Sequence, residues 1–463
     1  METITLGQLL EAVQGTLLGS FDDRSAPITG VDTDSRSIHP GTLFIPLAGE
    51  RFDGHTYINS ALEAGAAGCL TARERDSYLP QKFYVKVEDP QRALRDLAAW
   101  YRGQFDIPFI GVTGSVGKTT TKDMLAAVLG TKYKVLKTEG NHNNTIGLPL
   151  TLLGLEASCG IAVLEMGMDR PGEIDYLAGA VRPDVGVITN IGDAHIERLG
   201  SRENILKAKC EMLPHIKKGG LVILNGDDPL LAGLKGETPV PALFCGQGEG
   251  CAYRAQVTGG DGVSHIHCRL ITPHMDREVK IPALGEHMVY PTLIAAAVGE
   301  RFGLTPDQIE EGIGQFVPTR MRMNILHRGE GITILDDSYN ANPQSMRAAV
   351  SVLADSQGGY KTAILGDMLE LGPFAPALHS GVGECLGRAR IDCLVAVGQL
   401  AGYIAQGARD AGVPRVIHCS TKEEAKDVLP QVLRPDSTIL VKASRGMKLE
   451  ELTAKLLELT AEG

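Results

Sequence analysis

The stretch Gly111 to Thr121, GVTGSVGKTTT, restricts what this chain can fold into more than any other part of it. An apolar run, Ile107–Val112, enters the stretch, and a helix-like run, Thr120–Leu129, leaves it. Strand, glycine-rich turn, Lys-Thr and helix, in that order, are the layout of a phosphate-binding loop. Glycines let the backbone approach an anion closely, and the new helix points its free N–H groups at the phosphates. Thr113, Gly114, Ser115, Val116 and Gly117 would form the cradle. Lys118 would reach the outer phosphates, and the Thr119 hydroxyl would hold Mg2+. Val112 stands where the strict G-x-x-x-x-G-K-[ST] pattern has its first glycine, and Gly111, Gly114 and Gly117 compensate. The competing reading is a tight strand-to-helix turn with a solvated lysine; the flanking strand and helix favour nucleotide binding.

A chain of 463 residues exceeds a single core, so roughly two to four domains are expected. A hydrophobic content of 43% with 22% charged residues is ordinary for a globular protein. The net charge of −11 argues against a nucleic-acid partner and requires any polyanion site to be locally basic. Nine scattered cysteines without a C-x-x-C pair fit reduced thiols and a cytoplasmic protein. Glu2 and Glu11 stand where a basic leader would begin, so no signal peptide is expected. No run approaches the ~18 apolar residues of a membrane span, so no membrane insertion is expected.

Residues 1–84 mix short strands with turns rich in Gly, Asp and Pro, a small α/β domain. A helix is predicted over Asp89–Arg102, with Leu94, Leu97, Ala98 and Tyr101 on one face and Pro90 in its first turn. From Phe105, strand-like runs at 109–112, 134–138, 161–165, 185–190 and 221–225 alternate with helical patterns. That alternation predicts a doubly wound parallel sheet. After Asp228 the texture becomes β-rich, at 252–257, 264–271 and 278–284, before a helical run at 291–302. Near Pro318 a second series begins, with strands at 332–335, 362–365, 393–397, 416–418 and 438–441 and a final helix at 449–459. The fold class is therefore α/β with three domains: 1–84, a central doubly wound parallel-sheet P-loop ATPase domain at 85–317, and a smaller Rossmann-like domain at 318–463.

In open parallel sheets, ligands bind beyond the C-terminal ends of the strands. Glu165 ends the run IAVLE there and is a candidate Mg2+ ligand; the alternative is a solvated loop glutamate. His195 follows the next strand, where a structural and a functional reading balance. Lys207 and Lys209 lie on a helix and read as a solvated face. The loop Thr138–Gly147, TEGNHNNTIG, carries three asparagines, whose amides both donate and accept and so suit peptide or sugar recognition. Lys442, Ser444 and Arg445 end the last strand, where a basic cluster suits a carboxylate or phosphate, against ordinary turn chemistry. His265 and His267 alternate on one face of a strand. Zinc is disfavoured for them because no further ligand has metal-site spacing.

Together these segments resemble the Mur ligase family of bacterial peptidoglycan synthesis. The loop is similar to the family's G-[IV]-T-G-x-N-G-K-T-[ST]-T, with Val116 in place of the asparagine. The resemblance extends through Thr33–Arg36, Gly41–Phe44, Gly49–His55, Glu139–Pro149, Glu165–Gly167, Ala194–Glu197, Lys207–Lys209, Asp336–Pro343, Ile364–Gly372 and Val441–Gly446. It covers essentially the whole chain in the right order, and departs at Met288 and Pro291, where the family has asparagines near adenine, and at Ala443, where it has glycine.

The resemblance implies one reaction. ATP phosphorylates the terminal carboxylate of a UDP-N-acetylmuramoyl tripeptide, and the amine of D-alanyl-D-alanine displaces the phosphate. Carried over, Lys118, His195 and Lys209 become catalytic, with Lys209 carbamylated. Thr119, Glu165, His195 and Lys209 become the Mg2+ ligands. His287, Arg320 and Asp337 would join the loop in binding ATP. Ser35 and Arg36 would face the UDP end, and Asn141 and Asn144 the tripeptide. Tyr339, Asn340, Lys442, Ser444 and Arg445 would close over nucleotide or dipeptide. A monomer is implied. The alternatives are the preceding family member, which adds the third amino acid, and a folylpolyglutamate synthase-like ligase. The former has D-Y-A-H-[ST]-P where this chain has DDSYNANP, and the latter lacks the N-terminal segment. A non-catalytic, nucleotide-gated scaffold is disfavoured by the retention of Lys118, Thr119, Glu165, His195 and Lys209.

Overall fold

The computed structural model describes residues 1–49 and 52–460; Glu50 and Arg51 of the Gly49–His55 segment lie outside the described residues. The chain forms two compact units that interleave in sequence. One comprises Met1–Val112, Tyr133–Gly186 and Glu211–Gly220, and the other Thr113–Lys132, Val187–Cys210 and Leu221–Gly463.

In the first unit, a five-stranded sheet runs in the order Thr16–Leu18, Phe83–Lys86, Gly68–Thr71, Thr42–Phe44 and Gly30–Asp32. Its strands are parallel except for the antiparallel edge strand Thr16–Leu18. The helix Pro90–Arg102 forms as its sequence dictates. Asp89 accepts the Gln91 N–H, Pro90 fills the first position, and Leu94, Leu97, Ala98 and Tyr101 are buried. Burial of each leucine contributes about 1.5–3 kcal/mol. The helix packs on Leu6–Val13, Gly147–Leu153 and Glu173–Val181. Arg102 ends it by donating to the Val181 carbonyl at 2.7 Å and the Arg182 carbonyl at 3.2 Å, a cation against a helix C-terminus. The parallel pairing of Ile161–Glu165 with Val135–Lys137 and with residues 109–112 sets Glu165 opposite Val112. The runs Phe109–Thr113 and Ile161–Glu165 are wholly buried, which is why they read as unbroken apolar strands rather than alternating ones.

In the second unit, the helix Lys118–Gly130 packs against Val289–Arg301 and Pro306–Gly314. A Cβ on Gly312 would lie 2.4 Å from the Val128 Cα, so only glycine permits that approach. The strands Leu221–Asn225, Ala242–Gly246 and Tyr253–Gly260 pair in parallel, and Ile266–Ile271 and Asp276–Ile281 continue antiparallel. A six-stranded sheet follows in the order Asn324–His327, Thr333–Asp336, Ser437–Lys442, Tyr360–Gly366, Cys393–Val397 and Arg415–Cys419. It is parallel except at its first edge. One of its faces packs Ile334, Ile364, Val395, Ile439 and Val441 with Leu429, Leu452 and Leu456.

The α/β class with parallel sheets is as predicted. Two strands, Ala242–Gly246 and Asn324–His327, are absent from the sequence reading. The first is half-buried at its start, and the second lies on an edge with polar ends, so neither shows a clear apolar period. The strand predicted over 185–190 stops at Ile188, because Thr189 and Asn190 turn to bond the phosphate-binding loop. The helix predicted from Thr120 begins at Lys118. Among the described residues, no helix is long and apolar enough to cross a membrane. All nine cysteines are free thiols.

Candidate active site

The glycine-rich loop is built by two kinds of glycine. Gly114 has φ +149°, and a Cβ there would lie 1.9 Å from the Thr189 hydroxyl oxygen. Gly117 has φ +81° and caps the helix Lys118–Gly130, with open space where a Cβ would go. The first is needed for packing, the second for a left-handed backbone that leaves room for an anion. Val116 is held through its backbone: its N–H donates to Asn190 Oδ1 at 2.9 Å, and its carbonyl accepts from Asn190 Nδ2 at 2.9 Å and Thr189 Oγ1 at 2.6 Å. Its side chain takes no part in these bonds, which accounts physically for a valine at this position. Ser115 donates its N–H to the Asn190 carbonyl at 3.1 Å and accepts the Gly192 N–H at 2.9 Å. The Lys118 ammonium folds back onto the Gly114 carbonyl at 2.8 Å. The buried Thr113 hydroxyl has no hydrogen-bond partner, an orphaned polar atom inside the loop. The loop therefore fits a polyphosphate.

Glu165 is buried in the first unit. Its backbone N–H donates to Thr138 Oγ1 at 2.9 Å, and its carboxylate accepts Asn143 Nδ2 at 2.7 Å. Asn143 also accepts the Gly167 N–H on its carbonyl at 2.8 Å, and a Cβ on Gly167 would lie 3.0 Å from the Asn143 amide. The Glu-Met-Gly run and the asparagine loop are thus one device, and sequence reasoning chose the flanking residues. Asn144 accepts the N–H groups of Ile146 and Gly147, at 3.1 and 2.8 Å, and starts a helix; Asn141 is exposed. The only sequence signal for Asn143 was its place in that loop. Near the N-terminus, Ser35 is half-buried, and Arg36 is exposed and paired with Asp34 at 2.6 Å.

In the second unit, His195 has φ +62°, a left-handed conformation that costs a non-glycine residue on the order of 1–2 kcal/mol. Its Nδ1 lies 2.7 Å from Glu370 Oε2, an ion-pair distance, although Nδ1 is off the line of a good hydrogen bond. Its interaction with His195 holds the Glu370 carboxyl below the usual carboxylate range, against the opposing effect of burial. An imidazole anchored through Nδ1 presents Nε2 to a ligand. Glu370 was missed in the sequence because it lies far along the chain.

Lys209 corrects the reading of its helix as a solvated face. Lys207 is exposed, but Lys209 is buried. Burial, reinforced by the positive charge of Lys118, pushes its amine well below the ordinary lysine value.

Further along, Asp337 pairs with buried Lys442, which also donates to the Asn340 carbonyl at 2.9 Å. His287, an exposed residue, faces the same pair. The protein atoms around its ring lower its pKa, Asp337 opposes that, and Lys442 adds to it. Tyr339 carries the Arg322 guanidinium 4.1 Å from its ring centre and that of Arg445 at 5.8 Å. His287, Asp337, Tyr339, Asn340 and Lys442 are therefore brought together, with Arg322 as an unforeseen member. Lys442 is already matched by Asp337, so it orders the loop rather than offering a bare cation. Ser444 accepts the Leu369 N–H at 2.9 Å, and Arg445 pairs with Glu450 at 2.7 Å. Arg320 is exposed, and next to it Thr319 donates to Asp123 on the helix of the phosphate-binding loop.

Within its own unit, the Thr119 hydroxyl is a hard oxygen donor of the kind Mg2+ prefers, and so, within the other, is the Glu165 carboxylate. Three family models match the chain: "Mur ligase family, catalytic domain" over residues 27–102, "Mur ligase middle domain" over 112–299, and "Mur ligase, glutamate ligase domain" over 321–445. The UDP-N-acetylmuramoyl-tripeptide–D-alanyl-D-alanine ligase of Bacillus subtilis is 40% identical over 457 residues, 98% of each chain. A crystal structure of MurF from Acinetobacter baumannii superposes with a TM-score of 0.91 at 33% identity, covering 99% of both chains. The MurF ligase of Thermotoga maritima in complex with ADP gives a TM-score of 0.83 at 29% identity, over 93% of this chain and 98% of that one.

Proposed function

The chain belongs to the Mur ligase family, and from that premise we propose that it works through an acyl phosphate. It is an ATP-dependent ligase that joins D-alanyl-D-alanine to a UDP-N-acetylmuramoyl tripeptide in peptidoglycan synthesis. A carboxylate is a poor electrophile at neutral pH. One of its oxygens attacks the γ-phosphorus of ATP and ADP leaves. The dipeptide amine then attacks the carbonyl carbon, and phosphate leaves with the former carboxylate oxygen. Phosphoryl transfer of this kind asks for positioning and charge neutralisation more than for covalent help from the protein.

The observation that supports this mechanism is Lys209, buried beside Lys118 with its amine pushed well below the ordinary lysine value. A neutral amine adds CO2 and releases a proton, turning a repelled cation into an anion that Lys118 attracts. Thr119 and Glu165 would hold one Mg2+, and His195 with carbamylated Lys209 would hold or support a second. When bound, Mg2+ offsets the negative charge on the phosphates. The loop N–H groups and Lys118 orient the γ-phosphate. Arg320 and Asp337 would contact ATP phosphate and ribose, with His287 beside them. Asn143 positions the Glu165 carboxylate. Ser35 and Arg36 would serve the UDP end, and Asn141 and Asn144 the tripeptide. Tyr339, Asn340, Ser444 and Arg445 would serve the dipeptide or nucleotide, with Lys442 ordering their loop. We further propose domain boundaries near residues 84 and 317, a monomer, and a cytoplasmic location consistent with nine free thiols.

Phosphate release tests the assignment. Incubation with ATP, Mg2+ and the muramoyl tripeptide should release phosphate with D-alanyl-D-alanine and not with single amino acids. Release with single amino acids alone would point to another family member, and no release with any acceptor would overturn the enzyme.

A further inference from the structure

We propose that His265 and His267, on the β-hairpin that follows the parallel strands of the second unit, form a binding site for a divalent transition-metal ion of the nickel or copper class. The two Nε2 atoms lie 3.1 Å apart, and the ring centres 4.9 Å apart with the planes at 85°. The nitrogens are closer than the ring centres, so the rings turn their Nε2 edges toward each other. Two nitrogen ligands, each about 2.1 Å from one ion and roughly 95° apart at it, stand about 3.1 Å from each other, so one ion can span the pair.

The outer nitrogens point to the same chemistry. His265 Nδ1 lies 2.9 Å from Asp261 Oδ2 and 3.0 Å from Ser264 Oγ, and His267 Nδ1 lies 3.8 Å from Glu278 Oε1. Asp261 is fixed by the N–H groups of Val263, Ser264 and His265, at 2.9, 2.8 and 3.0 Å. A carboxylate accepting from His265 Nδ1–H leaves Nε2 of that ring with a lone pair for a ligand. In this structure the two Nε2 atoms share a hydrogen bond at 3.1 Å, and a metal ion would replace it with two dative bonds.

The surroundings suit a small, solvated site. The His265 side chain is 16% exposed and that of His267 37%, so an ion has access. Lys280, exposed, lies opposite His267 in the ladder, and Arg269 on the same face is paired with Asp276 at 2.6 Å. Among the described residues no cluster of three or more such ligands encloses an ion, so water completes the coordination. Imidazole ligands select against Mg2+, which separates this site from the ATP-linked ions. The loop is also tied to a second element. Gln357 donates its N–H to the Gly262 carbonyl at 2.9 Å and its side-chain amide to the Asp261 carbonyl at 2.6 Å.

Calorimetric titration of the full-length protein with Ni2+, in excess Mg2+, tests the site. The proposal expects one equivalent to bind to the wild type and to be lost in both His265→Gln and His267→Gln. It expects Asp261→Asn to bind about tenfold more weakly, because the residue then accepts less strongly from Nδ1. Both histidine variants should keep the wild-type melting temperature without Ni2+ and their ligase activity, and neither should gain melting temperature on adding Ni2+ as the wild type does. No binding to the wild type, or equal binding to the wild type and both histidine variants, would overturn the proposal.

Discussion

At position 209 a lysine is buried, two residues from another lysine that is exposed. An ordinary lysine at pH 7 is neutral in well under ~0.1% of molecules. Lys209 is neutral far more often, because burial and then Lys118 disfavour its charge. The proposed carbamylation rests on that, and it predicts that CO2-depleted enzyme loses most of its activity and recovers it on adding bicarbonate. Lys209→Ala should be nearly inactive and insensitive to bicarbonate; full activity in the variant would remove the carbamate from the mechanism. Stability should move the other way. The unfolded chain binds a proton at this lysine that the folded chain does not, so stability falls as pH drops from about 10 toward the lowered folded value. Lys209→Met should therefore be more stable than the CO2-free wild type, on the order of 1–3 kcal/mol by denaturant unfolding near neutral pH. A less stable variant would contradict the burial argument. Residues 207 and 209 look alike in the sequence, because the phase of a nine-residue helix with charges on both sides cannot be set from its pattern. Only the family resemblance singled out Lys209. Asn143 and Glu370 were missed for a related reason: each acts through one partner distant in sequence.

At the scale of elements, the phosphate-binding loop is held from the strand end at Thr189 and Asn190 as well as by its own Ser115 and Lys118. Asn190→Ala removes two hydrogen bonds to Val116, at about 1 kcal/mol each. It should raise the ATP concentration for half-maximal rate by roughly tenfold, with a smaller change in kcat; an unchanged KM would show that the loop keeps its shape without it. Gly114→Ala should be worse than Gly117→Ala for stability, since its Cβ would meet Thr189 at 1.9 Å whereas that of Gly117 meets open space. We expect a loss of about 1–3 kcal/mol for the first in thermal unfolding, and about 1 kcal/mol from the left-handed backbone for the second. Equal losses would contradict the distinction. Buried parallel strands were readable because both faces are covered and their apolar runs are continuous. Asn324–His327 was not, because an edge strand with one covered face and polar ends looks like a loop.

Over the whole molecule, the succession of α/β patterns is legible along the chain, but compactness is not. Residues 113–132 and 187–210 belong with the C-terminal half, whereas 133–186 belong with the N-terminal residues, a grouping that a reading from left to right does not reveal. The loop and the ligands proposed for its ions are thereby contributed by segments scattered over the chain, which is why motifs had to be read together to suggest one reaction. With a net charge of −11, binding of ATP and a nucleotide-sugar substrate needs local positive charge, which we propose comes from Lys118 and Arg320 at the ATP end and from Arg36, once it exchanges Asp34 for the substrate, at the UDP end. The central claim is that the tripeptide carboxylate is phosphorylated before the peptide bond forms. Supplying a muramoyl tripeptide labelled with 18O in its terminal carboxylate, together with ATP and D-alanyl-D-alanine, and analysing the released phosphate by mass spectrometry, tests it directly. An acyl phosphate sends one labelled oxygen into each phosphate; phosphate free of label, alongside normal ligation, would contradict the account.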